Sequence, residues 1–163
     1  KCHPDVFEKK LVVSAEAVVQ WGKRKRVGLM WWIFGILADC GFNSPKDIIC
    51  DVMQKMGVPP KLGYPFVKLG AKLFGRFDLE EDSPEQAVQK AKVPVIFFHG
   101  EADDYVPCWM SRAVYDACAS RKKLVQVPGA AHGLSYLVDM EGYFAAVEAF
   151  FGPEASAQRE KAV

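Results

Sequence analysis

Val93-Pro94-Val95-Ile96-Phe97-Phe98-His99-Gly100-Glu101-Ala102-Asp103-Asp104-Tyr105-Val106-Pro107 is an apolar run that turns abruptly polar. Its first six residues predict a buried strand, with Pro94 near the start, where a missing backbone donor is tolerated. The polar residues that follow form a loop at the carboxyl end of that strand. In open α/β sheets, ligands bind beyond the carboxyl ends of the strands. A carboxylate on this loop is therefore held where a site forms.

The same arrangement recurs downstream. Pro107 to Ser120 predicts a helix with Trp109, Ala113 and Ala117 along one stripe. Lys123-Leu124-Val125-Gln126-Val127 predicts the next strand, and Pro128-Gly129-Ala130-Ala131-His132-Gly133 follows it directly. Adjacent parallel strands would set the Asp103 and His132 loops side by side. An Asp accepting from one imidazole nitrogen fixes the tautomer and leaves the other nitrogen as a base. Either residue also has a plainer reading, Asp103 as a turn former and His132 as a hydrogen-bonded structural histidine. Asp104 is the neighbouring alternative acid. His99 reads as structural, packing beneath the acid loop.

Working outward, Met140, Tyr143, Phe144, Val147, Phe150 and Phe151 recur at three and four residues and predict a closing amphipathic helix. Gly152-Pro153 is expected to end it, leaving 152–163 as a mobile tail. Toward the N-terminus, Val27 to Ala38 is a continuous apolar run expected as a buried parallel strand. It follows Lys23-Arg24-Lys25-Arg26 but falls short of the roughly 20 residues a membrane span needs, so no membrane partner is expected. Ser44-Pro45 predicts a capped helix start. Residues 46–90 carry amphipathic pieces (Lys46–Met56, Pro65–Phe74, Pro84–Lys92) broken by glycine and proline, a helical excursion from the sheet. Strand and helix alternate, so the fold class is α/β: a parallel sheet with helices on both faces.

Strand, H-G-x-x-D-x-x-V-P, then 29 residues from Asp103 to His132, then strand and A-H-G, together resemble the acid and base segments of α/β-hydrolase-fold serine hydrolases. Asp39-Cys40-Gly41-Phe42 and Ala131-His132-Gly133-Leu134-Ser135-Tyr136 are similar to the bacterial esterase and serine-aminopeptidase-like branch. The resemblance covers residues 27–151 and implies the C-terminal half of that fold, with 46–90 as a helical cap and 1–26 as a divergent segment. It also implies a nucleophile in G-x-S-x-G at a sharp strand-to-helix elbow, some two dozen residues before the strand that ends at Asp39. Ser14 stands 25 residues before Asp39, between Leu11-Val12-Val13 and the helical Ala15–Trp21. Val12 and Glu16 occupy the positions where the elbow wants small residues, so Ser14 is either a nucleophile or a plain helix cap. The early strand that carries the other oxyanion amide would precede Lys1.

These readings imply a serine hydrolase of ester, thioester or amide bonds acting through an acyl-enzyme, here as a fragment with reduced or no activity. Apolar residues of the cap (Ile48, Ile49, Met53, Met56, Phe66, Leu69, Leu73, Phe74, Phe77) suit a substrate with an apolar portion, although packing within the cap accounts for most of them. The alternative is a non-catalytic truncated module that binds a ligand or partner, or self-associates, through an exposed sheet edge. Lys and Arg number 21 against 20 Asp and Glu, so no global charge invites nucleic acid. No histidine pair at ligand spacing and no glycine-rich phosphate loop is present, so no metal or other cofactor is expected. Five cysteines without a C-x-x-C pair read as reduced thiols and lean toward the cytoplasm, and no signal peptide is read.

Overall fold

A computed structural model of the chain describes residues 35–161, with side chains through 152. Ser14, the basic tetrad and most of the expected 27–38 strand lie outside the described residues. Three parallel strands, β1 (Ile36–Asp39), β2 (Val95–Gly100) and β3 (Lys122–Val127), pair in the order β1-β2-β3. Ile36 stands opposite Val95, and Val95 opposite Lys122. The strands therefore end nearly level, at Asp39, Gly100 and Val127, and the loops that follow them share one edge of the sheet.

Between β1 and β2 come α1 (Pro45–Lys55), α2 (Pro60–Gly70), a π-helical turn (Ala71–Gly75) and α3 (Pro84–Val88). After β2 come α4 (Cys108–Ala117), β3, the short α5 (Ser135–Val138) and α6 (Met140–Lys161). All six residues of β2 are buried, as the middle strand of a covered parallel sheet must be. Alternate side chains point to opposite faces. Val95 and Phe97 pack with Ala38, Val88, Val114 and Cys118, beneath α3 and α4. Ile96 and Phe98 pack with Val127, Ala130 and Phe150, beneath α6. Both crossovers step the same way across the sheet, so right-handed connections place α3 and α4 on one face. Helix α6 then closes the other, and Tyr143 stacks on Phe98 with ring centroids 3.8 Å apart.

Ser44 caps α1 by accepting from the Asp47 amide at 3.1 Å, with Pro45 in the first turn. Ser83 caps α3 in the same way through the Gln86 amide. The chain leaves the sheet layer at Asn43 and returns at Glu85. These two residues are clasped by the Glu85 amide donating to the Asn43 carbonyl at 3.2 Å and by the Asn43 side-chain amide donating to the Glu85 carboxylate at 3.3 Å. Helices α1 and α2 pack chiefly on each other, whereas Val88 of α3 belongs to the sheet core.

Four expectations from the sequence are corrected. Helix α2 starts at Pro60 and runs through Gly63 and Pro65, because a proline removes one donor without abolishing the bonds on either side. Helix α6 likewise runs through Gly152-Pro153 to Lys161, where Glu154, Ala155, Ala157 and Gln158 favour helix. The inward face of α4 is Met110, Ser111 and Val114, with Ala117 packed against the same core, and Trp109 is exposed. Counting helical spacing from Trp109 thus started the stripe one residue out of phase. In the cap, Met56, Phe66, Leu69, Leu73, Phe74 and Phe77 are exposed rather than buried between its helices. Two helices that pack on each other cover one face each and leave the other open. Among the described residues, no helix is long and apolar enough to cross a membrane.

Gly100 ends β2 where a methyl group would sit 2.2 Å from the Ala130 carbonyl oxygen. That neighbour is backbone and cannot rotate away. Gly100→Ala should cost about 1–3 kcal/mol in a denaturant titration. An unchanged midpoint would mean that the two loops are not held at this distance.

Candidate active site

The carboxyl ends of β2 and β3 are tied together by backbone. The Glu101 amide donates to the Val127 carbonyl and the Ala102 amide to the Ala130 carbonyl, each at 3.0 Å. Gly133, at φ 68°, turns the chain immediately after His132 in a conformation that suits glycine. These constraints bring Asp103 and His132 together. His132 Nδ1 lies 2.8 Å from Asp103 Oδ2. The Asp103 side chain is fully buried, while 43% of the His132 side chain is exposed.

Asp103 Oδ1 accepts the amides of Tyr105 at 2.9 Å and Val106 at 2.8 Å. Burial opposes ionisation of this carboxyl. The Val106 amide and His132 outweigh it, and hold the group below the usual carboxylate range. An ionised Asp103 only accepts, so Nδ1 of His132 carries a proton, and in the neutral ring Nε2 keeps a lone pair. The outcome is a buried carboxylate hydrogen-bonded to an accessible imidazole. Asp104 is exposed, and its carbonyl is turned to Lys55 of α1, which donates to it at 2.5 Å and to the Tyr105 carbonyl at 3.2 Å. The cap is thereby anchored to the acid loop. His99 is buried beneath that loop, with Nε2 2.8 Å from the Val106 carbonyl.

Cys40, Asp39 and Ser135 adjoin this pair; in the sequence they count toward the resemblance, with no role at the site read for them. Cys40 follows β1 at φ 51°. Its Sγ accepts from the Gly133 amide at 3.3 Å and donates to Asp39 Oδ1 at 3.3 Å. Ser135, fully buried, donates to the same Asp39 oxygen at 2.9 Å. The signal was available, since Asp39-Cys40 also follows a strand at the same sheet edge. Metal-ligand atoms of Cys40, Asp103 and His132 lie within 4.8 Å of one another. Burial pushes the Cys40 thiol up to about 11, and the nearby Asp39 carboxylate acts in the same direction. The thiol therefore stays protonated at neutral pH, and the group is a hydrogen-bonded pair flanked by a neutral thiol.

No family model matches the chain. It is 29% identical over 115 residues to the uncharacterized protein YqkD of Bacillus subtilis (strain 168), covering 70% of this chain and 38% of that one. Among solved structures it is similar to MGS-M2, an alpha/beta hydrolase enzyme from a Medee basin deep-sea metagenome library. That match has a TM-score of 0.53 at 14% identity and covers 91% of this chain and 67% of the other. It is also similar to a Mycobacterium tuberculosis puromycin-hydrolyzing peptidase, with a TM-score of 0.53 at 20% identity over 74% of this chain and 18% of the other. The chain thus spans well under half the length of the curated relative it matches, and its fold is a partial α/β-hydrolase fold.

Two measurements check this electrostatic description. Because the folded Asp103 carboxyl is depressed, its contribution to stability is present above the unfolded value, about 4, and is lost as pH falls through the folded one. The stability gap between the wild-type chain and Asp103→Asn should be widest at neutral pH and should narrow below pH about 4. A gap that stays constant down to pH 2 would contradict it. In the native protein, Cys40 should resist iodoacetamide at pH 8 while alkylating readily after unfolding, as read by peptide mass spectrometry. Rapid native alkylation at Cys40 would show a reactive thiolate.

Proposed function

We propose that the chain contributes the acid and base of a serine hydrolase acting on ester, thioester or amide bonds through an acyl-enzyme. The observation that carries this reading is the 2.8 Å contact between buried Asp103 and accessible His132 at the carboxyl ends of adjacent parallel strands. His132 Nε2 takes the proton of an attacking serine and returns it to the leaving group, and Asp103 holds the ring in the required tautomer. Ser14 is the candidate nucleophile within the chain, set against it by Val12 and Glu16. A substrate with an apolar portion is favoured by the exposed Phe66, Leu69 and Leu73 of the cap, which Lys55 ties to the acid loop. Among the described residues Cys40, Cys50, Cys108 and Cys118 are free thiols, which favours the cytoplasm as the compartment.

The encoding DNA upstream provides the first test. An in-frame G-x-S-x-G would supply an elbow, and a protein extended to include it should hydrolyse p-nitrophenyl esters or thioesters. His132→Ala should lower that turnover by about 10⁶-fold. An extended protein that turns over none of these bonds, or one indifferent to His132→Ala, would sink the proposal. The chain alone should label only weakly with a fluorophosphonate, which reacts with an activated serine. Stoichiometric labelling abolished by both Ser14→Ala and His132→Ala would instead establish Ser14 as a working nucleophile.

A further inference from the structure

We propose that His99 is a positioning residue for the acid–base pair, acting through an Nε2 proton donated to the carbonyl of Val106, whose own amide holds Asp103. The inference rests on the reading of Asp103 and His132 given above and adds a third member beneath them. His99 is 1% exposed. Its Nε2 lies 2.8 Å from the Val106 carbonyl oxygen and 3.4 Å from Asp103 Oδ2. Both neighbours only accept, because Asp103 is held ionised. Nε2 therefore carries a proton. On the other side of the ring, Nδ1 lies 2.6 Å from Ser111 Oγ, which in turn lies 2.9 Å from the Gly41 carbonyl. That side links the ring to α4 and to the loop after β1, away from the acid.

Donors around Asp103 explain what the Nε2 proton does. A carboxylate offers about four lone-pair positions. Oδ1 takes the amides of Tyr105 and Val106, and Oδ2 takes His132 Nδ1 from the solvent side. His99 Nε2 faces Oδ2 from the protein interior at 3.4 Å. It also grips Val106 from the carbonyl side, while the Val106 amide grips Oδ1. The carboxylate is thus held from below in the rotation that aims Oδ2 at His132. With the Nε2 donor absent, the carboxylate turns more freely, and His132 loses part of its preference for the Nδ1–H tautomer.

Nitrogen-15 NMR of the histidine rings tests this without requiring turnover, so a chain that proves inactive leaves the result readable. At a pH where the rings are neutral, wild-type His99 should carry its proton on Nε2, and His132 should carry its proton on Nδ1. Finding His99 protonated on Nδ1 alone overturns the proposal without any variant. Two substitutions then separate the two sides of the ring. His99→Gln places an amide donor near the reach of Nε2, and His99→Asn places one near the reach of Nδ1. His99→Gln should keep the His132 tautomer ratio, whereas His99→Asn should shift it about tenfold toward Nε2–H, the scale of one hydrogen bond to a charged group. If both variants match wild type, if both shift, or if only His99→Gln shifts, the Nε2 proton is not what orients Asp103.

Discussion

The backbone of β2 passes the backbone of the loop after β3 at Gly100, and the site depends on that crossing. Hydrogen bonds from Glu101 and Ala102 to Val127 and Ala130 clip the two loops together just past the sheet edge. A side chain at Gly100 would occupy the space of the Ala130 carbonyl. The crossing sets the distance between a carboxylate on one loop and an imidazole on the next. Strand pairing alone would leave both loops free to diverge. The clip also explains why the acid is wholly buried: the His132 loop roofs it, its remaining donors come from its own turn, and His99 lies below.

Electrostatics at this edge follow from a division of burial. Asp103 is cut off from water yet stays ionised, because backbone amides and the His132 imidazole replace the water it lost. Cys40, a few ångströms away, goes the other way: with carboxylate neighbours on its flank, desolvation holds it as a thiol. Tyr143 shows the same logic, burial and then Asp39 pushing its hydroxyl up while its ring stacks on Phe98. One small region thus holds a committed anion, neutral donors and an open base.

Much of this was legible in the sequence, for identifiable reasons. β2 and β3 show as apolar or β-branched runs that end in polar turns, and the matching positions of Asp103 and His132 after them place both at one edge. The cap at Ser44 announces itself by the proline that follows. The register of α4 was not legible, because Trp109 is large and apolar but sits on the solvent side, while buried Ser111 serves His99. The length of α6 was hidden by a Gly-Pro pair that reads as a stop, since the surrounding helix formers act only through their sum. The exposure of the cap's apolar residues was invisible for a different reason: amphipathic spacing reports that a helix has an apolar face, not whether a partner covers it. Ser14, the candidate nucleophile, lies outside the described residues.

The clasp between Asn43 and Glu85 bears on how such a chain can diversify. The excursion that holds α1 and α2 departs and rejoins at two points already hydrogen-bonded to each other. Closing a longer or shorter segment between fixed ends changes the entropy only with the logarithm of its length, about 0.6 kcal/mol per doubling. The sheet and its loops therefore tolerate replacement of the whole insert at small thermodynamic cost. What travels with each replacement is the contact made by Lys55, which alone registers the insert against the acid loop among the hydrogen bonds described. The architecture works as a socket: a fixed rim of chemistry, and an interchangeable module plugged in through one clasp and one pin.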